Sequence, residues 1–247
     1  MQNNLKGKTA WITGGKRIGQ TIAEDLAKEG VNIIASYRSS STEAEEIALT
    51  AKKIGVNAIS VKCDVSRKES VVEAVEEVKK EFKTVHILIN LASIFNPVQF
   101  QEISESDWEK NVTAHILGSF WPSQKIAEMM PVGGHIINIA DRTTIGKVYK
   151  GYLPYVVTKG AIGTMTKALA TELAPKGIFV NAIAPGPILR PDDISEKDWQ
   201  DIRDTSPLKY EIKDDEAVLE FSRLILFLST QTMASGYIYP LDQGQNL

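Results

Sequence analysis

The chain has 247 residues, with 28 Lys and Arg against 31 Asp and Glu, a net charge of −3. No basic surplus is present for nucleic acid or an anionic membrane, so a small-molecule partner is expected, with no nucleic acid and no membrane. Cys63 is the only cysteine, which excludes an intrachain disulfide and a cysteine metal cluster; no metal is expected, and a reducing compartment fits best. The opening MQNNLKGK holds too little apolar sequence for a signal peptide, and the longest apolar run, LILFL at 224–228, is far short of a membrane span. A cytoplasmic protein is the expectation.

Short apolar, β-branched runs recur in chain order: TAWIT from 9, VNIIASY from 31, NAISVK from 57, VHILIN from 85, HIINIA from 135, IFVNAIA from 178 and YIYPL from 237. Between them stand stretches with helical apolar spacing, such as GQTIAEDLAKEG and VVEAVEEVKKEF. The alternation predicts an α/β fold, a Rossmann-like doubly wound parallel sheet of about seven strands with helices on both faces. No linker, charge block or repeat marks a second unit, so a single domain over 1–247 is expected. Ser66 with Glu69 reads as a capping box for the third helix, Ser104 with Asp107 as a looser one for the fourth, and Gly30 as a left-handed helix end. In such sheets ligands lie at the carboxyl ends of the strands, where strand order reverses.

The first strand runs into TGGKRIG. Bare glycines let backbone approach a pyrophosphate, and the start of the next helix favours its charge. Lys16 and Arg17 put cations at that helix start, a conflict an anion would relieve; a tight turn carrying two surface basics is the alternative. The second strand ends in YRSS. Arg38, Ser39 and Ser40 offer the cation and hydroxyls that a ribose 2′-phosphate needs, and no acid stands at the strand end, which favours NADPH over NADH; equally, SSST caps the helix that follows. At the third strand end, Asp64 can accept from an adenine amino group or help cap the next helix.

In YVVTKGAIGTMTKALATELAPKG, Tyr155 and Lys159 lie four residues apart on one helical face. A tyrosine with a reference pKa of ~10 is a proton donor at neutral pH, and a neighbouring ammonium stabilises the phenolate left behind. That pair suits a general acid for a carbonyl or imine receiving hydride. Asp141 directly follows HIINIA, so Asp141, Tyr155 and Lys159 should converge at the carboxyl edge beside the glycine turn.

TGGKRIG, CDV, NLAS, the Tyr155/Lys159 pair and VNAIAPGPI at 180–188 together resemble the short-chain dehydrogenase/reductase family over almost the whole chain. The resemblance implies a Rossmann fold, hydride transfer from a nicotinamide and, commonly, a homotetramer. Within the family the chain looks most like pteridine reductases, including dihydromonapterin reductases, because Asp141 stands where most members have Ser, NLASIF resembles their NNASSF, and YRSS and the tail YPLDQGQNL look alike. By that resemblance Tyr155 donates a proton and Lys159 holds the nicotinamide ribose and tunes Tyr155. Asp141 relays a proton towards a pterin nitrogen, Ser93 contacts ligand and Phe95 stacks on the pterin. Asn90, Ala92, Ser93, Asp64 and Val65 line the cofactor, and Pro185, Gly186 and Ile188 sit against the nicotinamide. Gly14 and Gly15 turn under the diphosphate, Ile18 and Gly19 open the helix, and Lys16 and Arg17 add charge. A polar loop near 189–212 would be the substrate lid.

Two departures stand out. The glycine turn is one residue shorter than the family's TGxxxGxG. Aligning Trp108, Gly118 and Phe120 puts His115, rather than Asn111, at the family's usual asparagine, where it could relay a proton through water or serve as a buried structural histidine. Three functions follow: an NADPH-dependent reductase of a dihydropterin; a reductase of another carbonyl, such as a 3-oxoacyl thioester; or a non-catalytic nucleotide-binding protein.

Overall fold

The computed structural model describes residues 5–15, 18–39, 41–191, 194–208 and 210–247. Every one of the apolar runs becomes a strand: β1 Thr9–Thr13, β2 Asn32–Tyr37, β3 Ala58–Lys62, β4 Ile87–Asn90, β5 His135–Ile139, β6 Phe179–Pro185 and β7 Ile238–Leu241. They pair in parallel as one sheet in the order β3-β2-β1-β4-β5-β6-β7. The connections carry α1 Ile18–Lys28, α2 Ser41–Ile54, α3 Lys68–Val78, α4 Glu105–Asn111, α5 Gly118–Ile126, α6 Leu153–Leu173, α7 Glu196–Asp204 and α8 Asp214–Leu228.

Successive β1 side chains serve opposite faces, as strand geometry requires. Ala10 and Ile12 join Ile22 and Leu26 of α1 and Phe221 and Ile225 of α8, while Trp11 joins Val75 of α3, Ile126 of α5 and Leu169 of α6. Both faces being covered explains why TAWIT is buried at every position. Each such large side chain contributes roughly 1.5–3 kcal/mol relative to leaving it in water.

The chain steps from β1 outward to β2 and β3, then returns to β4 on the other side of β1, so strand order reverses between β1 and β4. Thr13 pairs with Asn90 there. The Thr13 hydroxyl donates to the Ile89 carbonyl at 3.3 Å and accepts from the Leu91 and Ala92 N–H groups at 3.1 and 3.4 Å, fixing one loop against the other. Gly14 and Gly15 have φ of 69° and 122°, a region that disfavours any residue with a Cβ. A Cβ on Gly14 would stand 3.1 Å from the Ala92 Cα, and one on Gly15 would stand 3.0 Å from the Gly19 Cα. The helix then starts at Ile18, where the turn reading placed it. Lys16, Arg17 and Ser40 lie outside the described residues.

Gly30, at φ 81°, closes α1, donating to Ala27 O while Val31 N donates to Leu26 O. Ser104 and Asp107 form the expected capping box. The Ser66/Glu69 box does not form: α3 follows Arg67, which makes no side-chain cap, and the Ser66 hydroxyl donates to Asp64 Oδ1 at 2.6 Å. A carboxylate two residues away is a stronger acceptor partner than a helical N–H is a donor to a neutral hydroxyl, so it takes the serine. Among the described residues no helix is long and apolar enough to cross a membrane, and no cluster of His, Cys, Asp and Glu is placed to hold a metal.

Candidate active site

A cavity of about 670 Å³ lies over the crevice. Gly14, Gly15 and Ile18 line it from the glycine turn, Arg38 and Ser39 from the end of β2, Val65 from the end of β3, and Ala92 and Ser93 from the end of β4. A glycine floor at positive φ, where a Cβ would be strained and crowded, fits the close approach of a dinucleotide. Three residues expected at the cofactor, Asn90, Asp64 and the buried Lys159, line neither this cavity nor the one beside it. Asn90 does not line the cavity: its amide donates to Ser119 O, Ser123 Oγ and Asn138 Oδ1 at 3.3, 3.0 and 2.8 Å, and Asn138 in turn donates to Thr166 Oγ1 at 3.0 Å. That buried chain ties β4 and β5 to α5 and α6. Asp64 also stays outside the lining, with Oδ1 taken by the N–H and hydroxyl of Ser66.

A second cavity, of about 460 Å³, shares Ile18 and Leu91 with the first and contains Asp141 and Tyr155. The short helical turn Arg142–Thr144 begins on Asp141, whose Oδ1 accepts from Thr143 N at 2.9 Å. This turn is pressed against α6 at Gly163, where a Cβ would fall 2.6 Å from Thr144 Cγ2. That close approach puts Asp141 beside the phenol: Tyr155 Oη donates to Asp141 Oδ2 at 2.9 Å, and Tyr149 Oη donates to the same oxygen at 3.3 Å. Burial, then the negative charge of Asp141, drives the Tyr155 phenol well above its usual range. Tyr155 is therefore a proton-bearing donor here.

Lys159 is buried one turn on, its ammonium 5.8 Å from the Tyr155 ring centre and donating to the Ile139 carbonyl at 2.8 Å. Burial lowers its pKa to about 8, partly offset by Asp141. The expected tuning of Tyr155 by Lys159 is not the dominant influence in this arrangement; the carboxylate is nearer to the hydroxyl and pushes the other way.

His115 occupies a π-helical segment, Val112–Leu117, between α4 and α5. Its Nδ1 is 2.9 Å from Thr158 Oγ1, which donates to Pro154 O and Tyr155 O and so is left to accept. Its Nε2 lies 3.0 Å from Ser93 Oγ, 3.1 Å from the Ile94 carbonyl and 3.3 Å from the Ile94 N–H. Burial and the Lys159 charge lower its pKa to about 3. The ring is a neutral pin between the β4 loop and α6, buried as the structural alternative expects.

Aromatic rings wall the second cavity. Phe95 stacks on Tyr152 at 4.3 Å with planes 14° apart, and meets Tyr155 edge-on at 4.9 Å. Pro185, Gly186 and Ile188 close one side, and Trp199 of α7 reaches in from the segment expected to be a lid. Trp199 is also anchored, donating from Nε1 to Asp214 Oδ1 at 3.2 Å. The tail fastens the same helix: Gln245 donates to Ile202 O and accepts from Arg142 at 2.8 Å.

The family model described as Enoyl-(Acyl carrier protein) reductase matches residues 14–246. The chain belongs to the short-chain dehydrogenase/reductase family. Glucose 1-dehydrogenase 2 of Bacillus subtilis is 33% identical, over 80% of this chain and 78% of the relative. The 3-oxoacyl-(acyl-carrier-protein) reductase FabG of Staphylococcus epidermidis is also 33% identical, over 80% and 81%. A short chain dehydrogenase from Burkholderia cenocepacia in complex with NADP superposes with a TM-score of 0.88 at 27% identity, covering 99% of this chain and 100% of that one. The protein is thus an NAD(P)-dependent oxidoreductase of this family.

Sequence reading missed three features of the short-chain dehydrogenase/reductase site. Glu43, from the first turn of α2, lines the same cavity as Arg38. Tyr149 and Tyr152 complete the aromatic wall. Their only signal was a cluster of three tyrosines at 149, 152 and 155 between Asp141 and Lys159, irregularly spaced across a loop and a helix start.

Proposed function

We propose that the protein is an NADPH-dependent reductase that delivers hydride to a C=N bond of a dihydropterin or related pteridine. The observation that carries this reading is Asp141, a carboxylate bonded at 2.9 Å to the proton donor Tyr155 in a cavity walled by Phe95, Tyr149 and Tyr152. A flat bicyclic ring gains by lying against such rings. A ring nitrogen beside the reduced carbon needs a proton, and the phenol and carboxyl pair stands ready to handle one.

The nicotinamide supplies the hydride. Gly14, Gly15 and Ile18 would cradle the diphosphate, and Arg38 and Ser39 the 2′-phosphate; Ala92, Ser93 and Val65 would flank the adenosine side, and Lys159, Pro185, Gly186 and Ile188 the nicotinamide end. Tyr155 gives its proton to the nitrogen, Asp141 holds the phenol, and the α7 segment acts as the lid that keeps out water. Exposed Leu219, Phe227 and Tyr237 give the chain apolar surface on which a homotetramer would assemble.

A second reading, reduction of a 3-oxoacyl thioester, is favoured by the identity to the Staphylococcus epidermidis reductase. NADPH oxidation with 7,8-dihydrobiopterin and acetoacetyl-coenzyme A separates the two. Turnover of the pterin supports the first; robust thioester turnover with none on the pterin overturns it in favour of the second.

A further inference from the structure

Gln245 lies in the tail beyond β7, yet only 6% of it is exposed. Its side-chain amide is spent on two elements of the site. Oε1 accepts from Arg142 Nη1 at 2.8 Å, and Nε2 donates to Ile202 O and Thr205 Oγ1, each at 3.1 Å. Arg142 opens the short turn that begins on Asp141, and Ile202 and Thr205 form the end of α7, whose Trp199 reaches into the second cavity. The same amide abuts a third part of the site: a Cβ on Gly186 would stand 3.2 Å from Gln245 Oε1 and 2.9 Å from Asp242 Cα.

The tail is held there against a local penalty. Gln243 has φ 52°, the one non-glycine residue at positive φ among the described residues. Such a conformation persists only where its surroundings over-determine it. Bonds to the segment after α7 do so: Ser206 Oγ donates to Gln243 O at 2.6 Å, and Gln243 Nε2 donates to Tyr210 O at 3.1 Å. On its α6 side the Asp141 turn is anchored by Thr144 Oγ1, which donates to Lys159 O at 3.2 Å; on its outer side it is anchored by Arg142 through Gln245.

We infer that Gln245 is a positioning residue that couples the seating of α7 over the substrate to the placement of Asp141 against Tyr155; this rests on the reading of α7 as the lid and of Tyr155 as the acid. An amide suits the task because it accepts from a guanidinium on one side and donates to a carbonyl on the other. When α7 lifts, Nε2 loses both acceptors and Arg142 loses a fixed partner, so the turn carrying Asp141 loosens. When α7 seats, the turn is drawn back into register, and the proton-handling pair is complete only with the cavity closed.

Two variants separate the halves of this bridge. Gln245→Met keeps the length and loses every side-chain bond. Gln245→Glu sets a carboxylate against the Ile202 carbonyl, which repels it, but pairs with Arg142 and so holds the turn without α7. In the ligand-free protein, trypsin cleavage after Lys197, an exposed residue of α7, should be about fivefold faster or more in both variants, read by mass spectrometry. Wild-type cleavage rates in both overturn the inference whatever the substrate proves to be. With the substrate the enzyme reduces, Gln245→Glu should raise KM about tenfold and hold kcat within about twofold, while Gln245→Met should raise KM and lower kcat, each about tenfold. Equal effects of the two variants on kcat would mean that the amide only fills space, and would overturn the coupling. If Gln245→Met does not fold, the split between KM and kcat in Gln245→Glu decides alone. Failure of the underlying readings looks different: Tyr155→Phe would keep the wild-type transfer rate, or saturating substrate with NADP would leave Lys197 cleavage of the wild type unslowed.

Discussion

Acidification should expose the neutral lock on His115. A histidine whose pKa falls from 6.5 in the unfolded chain to about 3 in the fold binds fewer protons when folded throughout that window. Its contribution is whole above pH 6.5 and is lost as pH falls towards 3. Between pH 7 and pH 5 the linkage comes to about 2 kcal/mol for this one residue. The groups facing the ring are Lys159, whose charge adds to the lowering, and the Tyr155 ring. The chain has three histidines; His135, lowered to about 4, and His86, also lowered, would act in the same direction. His115→Gln removes one term and leaves the others. Urea unfolding at fixed protein concentration should therefore lose about 2 kcal/mol less between pH 7 and pH 5 in the variant than in the wild type. Parallel losses in the two proteins would refute a neutral, buried His115, whatever the variant's stability at pH 7.

Arg38→Ala should weaken NADPH binding by about 10- to 100-fold, the worth of a charge-assisted bond, and leave NADH binding nearly unchanged; calorimetric titration of both reads it. Equal loss for the two cofactors would place Arg38 away from the 2′-phosphate. Asp141→Ser should lower dihydropterin turnover by about 100-fold while any thioester turnover survives, measured as kcat with each substrate. A drop in both would mean that Asp141 serves the fold rather than the choice of substrate.

Much of the architecture was legible because strands buried on both faces must be apolar along their length, and Gly30 and the Ser104/Asp107 box declare helix ends by local chemistry. The strand ends likewise placed Gly14, Ile18, Arg38, Ala92 and Asp141 at one crevice. What failed depended on competition between neighbours. Ser66 carries a capping signature, but Asp64 is the better partner for it. Asn90 sits at the right strand end, yet Ser119, Ser123 and Asn138 surround its amide. The π-helical segment that presents His115 leaves no mark in periodicity, because its extra residue per turn is decided by packing. Phe95 was placed in the cavity, but its partner Tyr152 could not be foreseen without the loop that brings them together.

The central claim is that Tyr155 donates the proton in a nicotinamide-dependent reduction, and Tyr155→Phe tests it most directly. NADPH affinity, read by fluorescence titration, should stay within about twofold of wild type, while the rate of hydride transfer in rapid mixing should fall by about 10²- to 10⁴-fold. A variant that retains the wild-type transfer rate, or that loses cofactor affinity to the same degree as rate, would contradict the account.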